Sequence, residues 1–118
     1  MRIIVVEDDM QLRERLARAL RARGHDAVVA ADRAAARMEA ERSFDAAVVD
    51  LRLGPDSGLE VISDLLAAQV TARVVLATSL ATLEIVDEAS RRGAVGVLRK
   101  PYDADQLLDL IAGRSLDG

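Results

Sequence analysis

Short apolar runs alternate with helix-period stretches from one end of the chain to the other. Ile3 to Val6 predicts a first strand, and Leu12, Leu16, Ala19 and Leu20 then recur at helical spacing between charged positions. Gly24 predicts the stop of that helix. A weaker strand is predicted over 27–30. A second helix follows over 32–41, rich in Ala, Arg and Glu, with Asp32 as its N-cap. Ala46 to Val49 predicts the third strand. Residues 58–68 predict a third helix, with Leu59, Ile62, Leu65 and Leu66 as its apolar face. A fourth strand is predicted over 73–77, a fourth helix over 81–92 stopped by Gly93, and a fifth strand over 95–98. A last helix is predicted over 103–112, capped by Asp103. Such alternation implies βαβ units and a parallel α/β sheet. The third and fourth strands read as continuously apolar, as central strands covered on both faces do. The poorer second strand belongs at an edge.

Composition narrows this picture. The chain has 118 residues, enough for one domain with a single core. Hydrophobic residues make up 51% and charged residues 31%, a globular and not a disordered balance. Aromatics are 2%, so Ala, Val, Leu and Ile must fill the core. There is no cysteine, hence no disulfide and no thiolate chemistry. No apolar run is long enough for a signal peptide or a spanning helix, so a cytoplasmic protein without membrane association is expected. The net charge of -4 argues against direct nucleic-acid binding, which needs a clustered positive face. Residues 113–118 are small and polar, and read as a tail or the start of a linker.

The polar outliers carry the chemistry. Glu7-Asp8-Asp9 follows the first strand, Asp50 the third, Thr78 the fourth and Lys100-Pro101 the fifth. Each has a plain structural reading. The acidic triplet suits a helix N-terminus, Asp50 before a Gly-Pro loop suits a turn, Thr78 an ordinary strand end, and Lys100 a solvated charge. Together they fall at the carboxyl ends of the strands, where open parallel sheets bind ligands. If the sheet order begins 2-1-3, the first and third strands are neighbours and their carboxylates lie within a few ångströms. Crowded like charges need compensation. Mg²⁺, which takes oxygen ligands and commonly binds through a carboxylate or two plus a phosphate, supplies it. The fitting chemistry is phosphoryl transfer to a carboxylate, with Asp50 as nucleophile, Mg²⁺ on Asp8, Lys100 as a point charge and Thr78 as a donor. The single histidine, His25, precedes the second strand at the opposite edge and reads as a surface residue.

Val6-Glu7-Asp8-Asp9, Asp50-Leu51-Arg52-Leu53 through Gly58, Thr78-Ser79 and Lys100-Pro101 resemble the receiver domain of bacterial two-component response regulators. The resemblance covers essentially the whole chain, 1–118. It implies a flavodoxin-like doubly wound (βα)5 fold with a five-stranded parallel sheet in the order 2-1-3-4-5. By the same resemblance Asp50 is the phosphoacceptor, taking phosphate from a sensor histidine kinase or a phosphotransfer protein. Asp8, Asp50 and the backbone carbonyl of Arg52 hold Mg²⁺, with Glu7 acting through water. Lys100 and Thr78 answer to the phosphate, and Pro101 follows a cis peptide bond. The output is a changed face of the fourth helix, fifth strand and last helix, read by an effector domain or protein. Such a domain catalyses only its own phosphorylation and dephosphorylation.

The chain departs from the family pattern in several places, Ser79 where Ala is common being a mild one. Gly54 stands where Pro is common, with Pro55 one place later, so the loop should be looser or differently turned. Val97 stands where an aromatic is common, so the switch is expected to act through Thr78 and the loop. The last helix carries no arginine before Arg114, which speaks against the family's salt-bridged dimer. A monomer or a weak phosphorylation-dependent homodimer is expected. Two rival readings remain at this stage. One is a receiver-like interaction module that works without phosphorylation. The other is a small aspartyl-nucleophile phosphohydrolase, which would want an acid where Arg52 stands.

Overall fold

A computed structural model describes residues 1–113 of the chain. The expected tail over 113–118 therefore lies, from residue 114 onward, outside the described residues. The elements run β1 (Arg2–Val6), α1 (Met10–Ala22), β2 (Asp26–Ala30), α2 (Arg33–Glu39), β3 (Ala46–Asp50), β4 (Arg52–Leu53), β5 (Asp56–Ser57), α3 (Gly58–Ala68), β6 (Arg73–Thr78), α4 (Leu83–Arg91), β7 (Gly96–Arg99) and α5 (Ala104–Ile111). The main sheet is parallel in the order β2-β1-β3-β6-β7, which is the expected 2-1-3-4-5 once the two short strands are set aside. The poor second strand is an edge, and β3 is central.

Period-two alternation splits the strands between two cores. Ile4, Val6, Ala47, Val49, Val74 and Leu76 face α2, α3 and α4, whose Ala36, Val61, Ile62, Leu65 and Ala89 bury against them. Ile3, Val5, Ala46, Val48, Val75, Ala77 and Leu98 face α1 and α5, through Ala17, Leu20, Leu107 and Ile111. Methyl-rich side chains thus fill both layers, with Phe44 as the one aromatic in the buried core.

Each helix start is capped by a side chain that offers an acceptor. Asp9 accepts from Gln11 and Leu12, Asp32 from Ala35, Ser57 from Leu59 and Thr82 from Ile85. Asp103 accepts from Gln106 in a reciprocal capping box. The fourth helix is shorter than the spacing predicts, because Thr82, not Ala81, offers the capping oxygen.

Of the two outcomes expected for the segment after Asp50, looser or differently turned, the structure has the second. Arg52–Leu53 pairs antiparallel with Asp56–Ser57, in the register Arg52↔Ser57 and Leu53↔Asp56. Gly54, at φ 64°, turns the chain where the family's proline could not, since proline is fixed at negative φ. Leu53 is 1% exposed and pins the hairpin to the core.

Candidate functional site

β1 and β3 are adjacent and in register, Val6 opposite Val49. The residues that follow them, Glu7 and Asp8, therefore emerge beside Asp50. One carboxylate oxygen from each of Glu7, Asp8 and Asp50 lies within 4.8 Å of the others. Lys100 reaches the same place from the end of β7. Its Nζ donates to Glu7 Oε1 at 2.7 Å and lies 3.2 Å from Asp50 Oδ1. Glu7 is 7% exposed, so its charge is held by Lys100 and by the Asp9 N–H that donates to its other oxygen at 3.3 Å. The Lys100–Pro101 peptide is cis.

Of the acidic triplet, two residues face Asp50 and one does not. Asp9 turns away to cap α1, as the plain structural reading of acids at a helix start predicts. Thr78 is at the same sheet edge, 4% exposed, with its carbonyl accepting from the Lys100 N–H at 3.0 Å. Its hydroxyl oxygen accepts from the Leu80 N–H at 2.9 Å. Arg52 lies in the hairpin with its side chain exposed. His25 sits at the far end of the sheet, its Nδ1 3.2 Å from the N-terminal nitrogen.

The electrostatics are lopsided. Partial desolvation, and then the neighbouring Glu7 carboxyl, push the exposed Asp8 carboxyl above the usual carboxylate range, although its own backbone N–H and Lys100 pull the other way. Burial works against the Lys100 ammonium, but its hydrogen bond to Glu7 and the charges of Asp50 and Glu7 outweigh that and hold it above its ordinary value. Three carboxylates share one ammonium, an arrangement short of positive charge. This donor set of hard, crowded oxygens fits a divalent cation such as Mg²⁺.

One contributor escaped the sequence reading, and another was named there only as the end of the Asp50 motif. Arg13 Nη1 donates to the carbonyls of Asp8, at 3.1 Å, and Glu7, at 3.4 Å, and so braces the acidic turn. Its place one turn into α1 was the available signal. Gly58 is the second. A Cβ there would lie 2.1 Å from the Asp50 carbonyl oxygen, so only glycine lets α3 start this close to Asp50. Its N–H donates to Leu51 O at 2.7 Å.

The family described as the response regulator receiver domain matches residues 3–112. The chain belongs to this family. This receiver domain is 35% identical over 113 residues to the acid tolerance regulatory protein ActR of Sinorhizobium medicae, covering 95% of this chain and 58% of that protein. It is 32% identical to the photosynthetic apparatus regulatory protein RegA of Rhodobacter capsulatus, covering 95% of this chain and 61% of that one. It thus spans well under two thirds of these relatives' length. Among solved structures it is similar to a response regulator of Burkholderia pseudomallei with a phosphorylated aspartic acid, a calcium ion and citrate. That match has a TM-score of 0.90 and 32% identity, and covers 93% of this chain and 65% of that one. A receiver domain is a signalling domain. No helix among the described residues is long and apolar enough to cross a membrane.

Proposed function

We propose that this receiver accepts a phosphoryl group on Asp50 from a phosphohistidine of a sensor kinase or phosphotransfer protein. The observation that carries the reading is the convergence of Glu7, Asp8 and Asp50 within 4.8 Å under the Lys100 ammonium. A free Asp50 oxygen attacks phosphorus, the P–N bond breaks as the P–O bond forms, and the released imidazole takes its proton from solvent. In-line transfer of this kind needs positioning and charge neutralisation more than acid–base chemistry.

Asp8, Asp50 and the Arg52 carbonyl would hold Mg²⁺, with Glu7 acting through water. The ion supplies charge neutralisation for the phosphoryl oxygens. Lys100 offers a second positive charge. Thr78 accepts from Leu80 and so keeps its own hydroxyl proton to donate to the incoming phosphoryl group. A cavity of about 480 Å³ opens beside Glu7 and Lys100, walled by Leu12 and Leu16 of α1 and by Pro101 and Tyr102.

Phosphorylation raises the negative charge of the site toward two and adds strong acceptor oxygens. Thr78 and Lys100 then favour the conformer that draws them inward, and the α4–β7–α5 face follows. Leu83, 86% exposed on α4, and Val95 before β7 give that face apolar contact area for an effector domain or protein. In this reading residues 1–118 form one receiver unit that works in the cytoplasm and catalyses nothing beyond its own phosphorylation and dephosphorylation. It binds no nucleic acid itself and is a monomer or a weak phosphorylation-dependent dimer. The phosphohydrolase reading has no acid to call on at Arg52.

The test is labelling by acetyl phosphate in Mg²⁺. The parent chain should be labelled and Asp50→Asn should not. Undiminished labelling of Asp50→Asn rules Asp50 out.

A further inference from the structure

Asp56 belongs to none of the groups that meet at the acidic pocket, yet it ties that pocket's loop to another element. It is half-buried in β5, opposite Leu53 and one rung from Arg52. Its Oδ2 accepts the backbone N–H of Arg33 at 3.3 Å. Arg33 is the first residue of α2, where the N–H groups have no partner within the helix and the dipole favours an anion. Asp32 caps Ala35 from the position just before the helix, and Asp56 takes a second donor from a different element. The Arg33 guanidinium then reaches α3, to Asp64 at 2.7 Å and Glu60 at 2.7 Å. Arg33 thus joins α2, the hairpin that carries Arg52, and α3.

We propose that Asp56 is a positioning residue: by accepting the Arg33 N–H it fixes the β4–β5 hairpin against the start of α2, and so holds the Arg52 carbonyl where it can ligate the cation. This rests on the reading of that carbonyl as a metal ligand. The hairpin has only two residue pairs and a glycine at its turn, too little to hold itself in one place. Leu53 anchors one strand in the core, and the Asp56 joint anchors the other.

Three variants separate the joint from general stability. Asp56→Ala removes the acceptor. Arg33→Pro removes the donor at a position where proline is tolerated, and Asp32, at φ -154° and ψ 179°, already has the extended backbone that a following proline needs. Arg33→Ala is its partner control, losing the guanidinium but keeping the N–H. Mg²⁺ affinity is measured by titration calorimetry, and the hairpin is followed by hydrogen exchange of its cross-strand amides. Asp56→Ala should weaken Mg²⁺ binding by about threefold to tenfold, less than loss of a group hydrogen-bonded directly to a ligand side chain. Arg33→Pro should bind more weakly than Arg33→Ala by a similar factor. The double variant Asp56→Ala/Arg33→Pro should be no worse than the weaker single, because both remove one bond. Both joint-breaking variants should speed exchange in the hairpin. Arg37→Ala, which loses only an ion pair to Asp64, should lower the melting temperature without changing Mg²⁺ affinity. Unchanged Mg²⁺ affinity in Asp56→Ala, with binding still lost in Asp8→Asn, overturns the joint and leaves the metal reading standing. Binding that Asp8→Asn fails to weaken overturns the metal reading and the joint with it.

Discussion

Two charge clusters, one between α2 and α3 and one at the carboxyl end of the sheet, are built to opposite rules. Between α2 and α3, Arg33 and Arg37 face Asp64 and Glu60, two cations to two carboxylates. Hydrogen bonding from Arg33, and then from Arg37, holds the Asp64 carboxyl below its ordinary value despite its burial. At the carboxyl end of the sheet, three carboxylates share Lys100, and Asp8 is pushed the other way. A balanced cluster stabilises the fold. An unbalanced one costs stability and is retained where something else is to bind. The sign of the carboxyl shift therefore separates the structural cluster from the functional one more clearly than acidity alone.

The sharpest break comes at the seam between them. Gly58→Ala drives a methyl group into the Asp50 backbone, 2.1 Å from its oxygen and 2.8 Å from its carbon. The expected cost is about 3 kcal/mol or more, read by urea denaturation, because neither backbone can give way without moving β3 or α3. A well-folded alanine variant would mean that α3 does not need to start there.

Next is Asp64→Asn, which trades the fork-to-fork pair with Arg33 for a neutral amide. It should destabilise by about 1–2 kcal/mol at neutral pH, since the Asp64 side chain is only 17% exposed and screening is incomplete. Its folded carboxyl is held low, so the stabilisation is complete above the ordinary value of 3.8 and disappears as pH falls through the lowered one. The gap in melting temperature between parent and variant should close in acid.

The smallest effect has the opposite sign. Asp8 has a raised carboxyl, so its contribution is complete below the ordinary value of 3.8 and is lost as pH rises through the higher folded value. Asp8→Asn should therefore be more stable than the parent at neutral pH in a chelator, by under about 1 kcal/mol, because the group is exposed and screened. Added Mg²⁺ should reverse the order by stabilising only the parent. An Asp8→Asn variant that melts below the parent in chelator would show that the pocket is not short of positive charge.

Much of the fold was legible because its signals are local. Leu59, Ile62 and Leu65 mark the face of α3 by spacing alone, and α3 starts and ends where the pattern places it. Asp32 and Asp103 announce the starts of α2 and α5 by chemistry available in any short peptide. The acids at strand ends were legible too, but not which of them would meet. Asp9 has the same side chain as Asp8 and is its neighbour, yet it caps a helix. The difference lies in which way the chain turns after β1.

The sequence by itself determined the order of elements, the two faces of each strand and the residues offered at the carboxyl edge. Hydrophobic period and capping act over a few residues, and so they can be read without a third dimension. Only the tertiary structure decided that Lys100 reaches Glu7 more closely than Asp50, that residues 52–57 form a hairpin, and that Asp56 reaches across to Arg33. Those pairings join positions far apart in the chain. Register between neighbouring strands, and a Gly54 turn that one residue's backbone decides, bring them within hydrogen-bond reach.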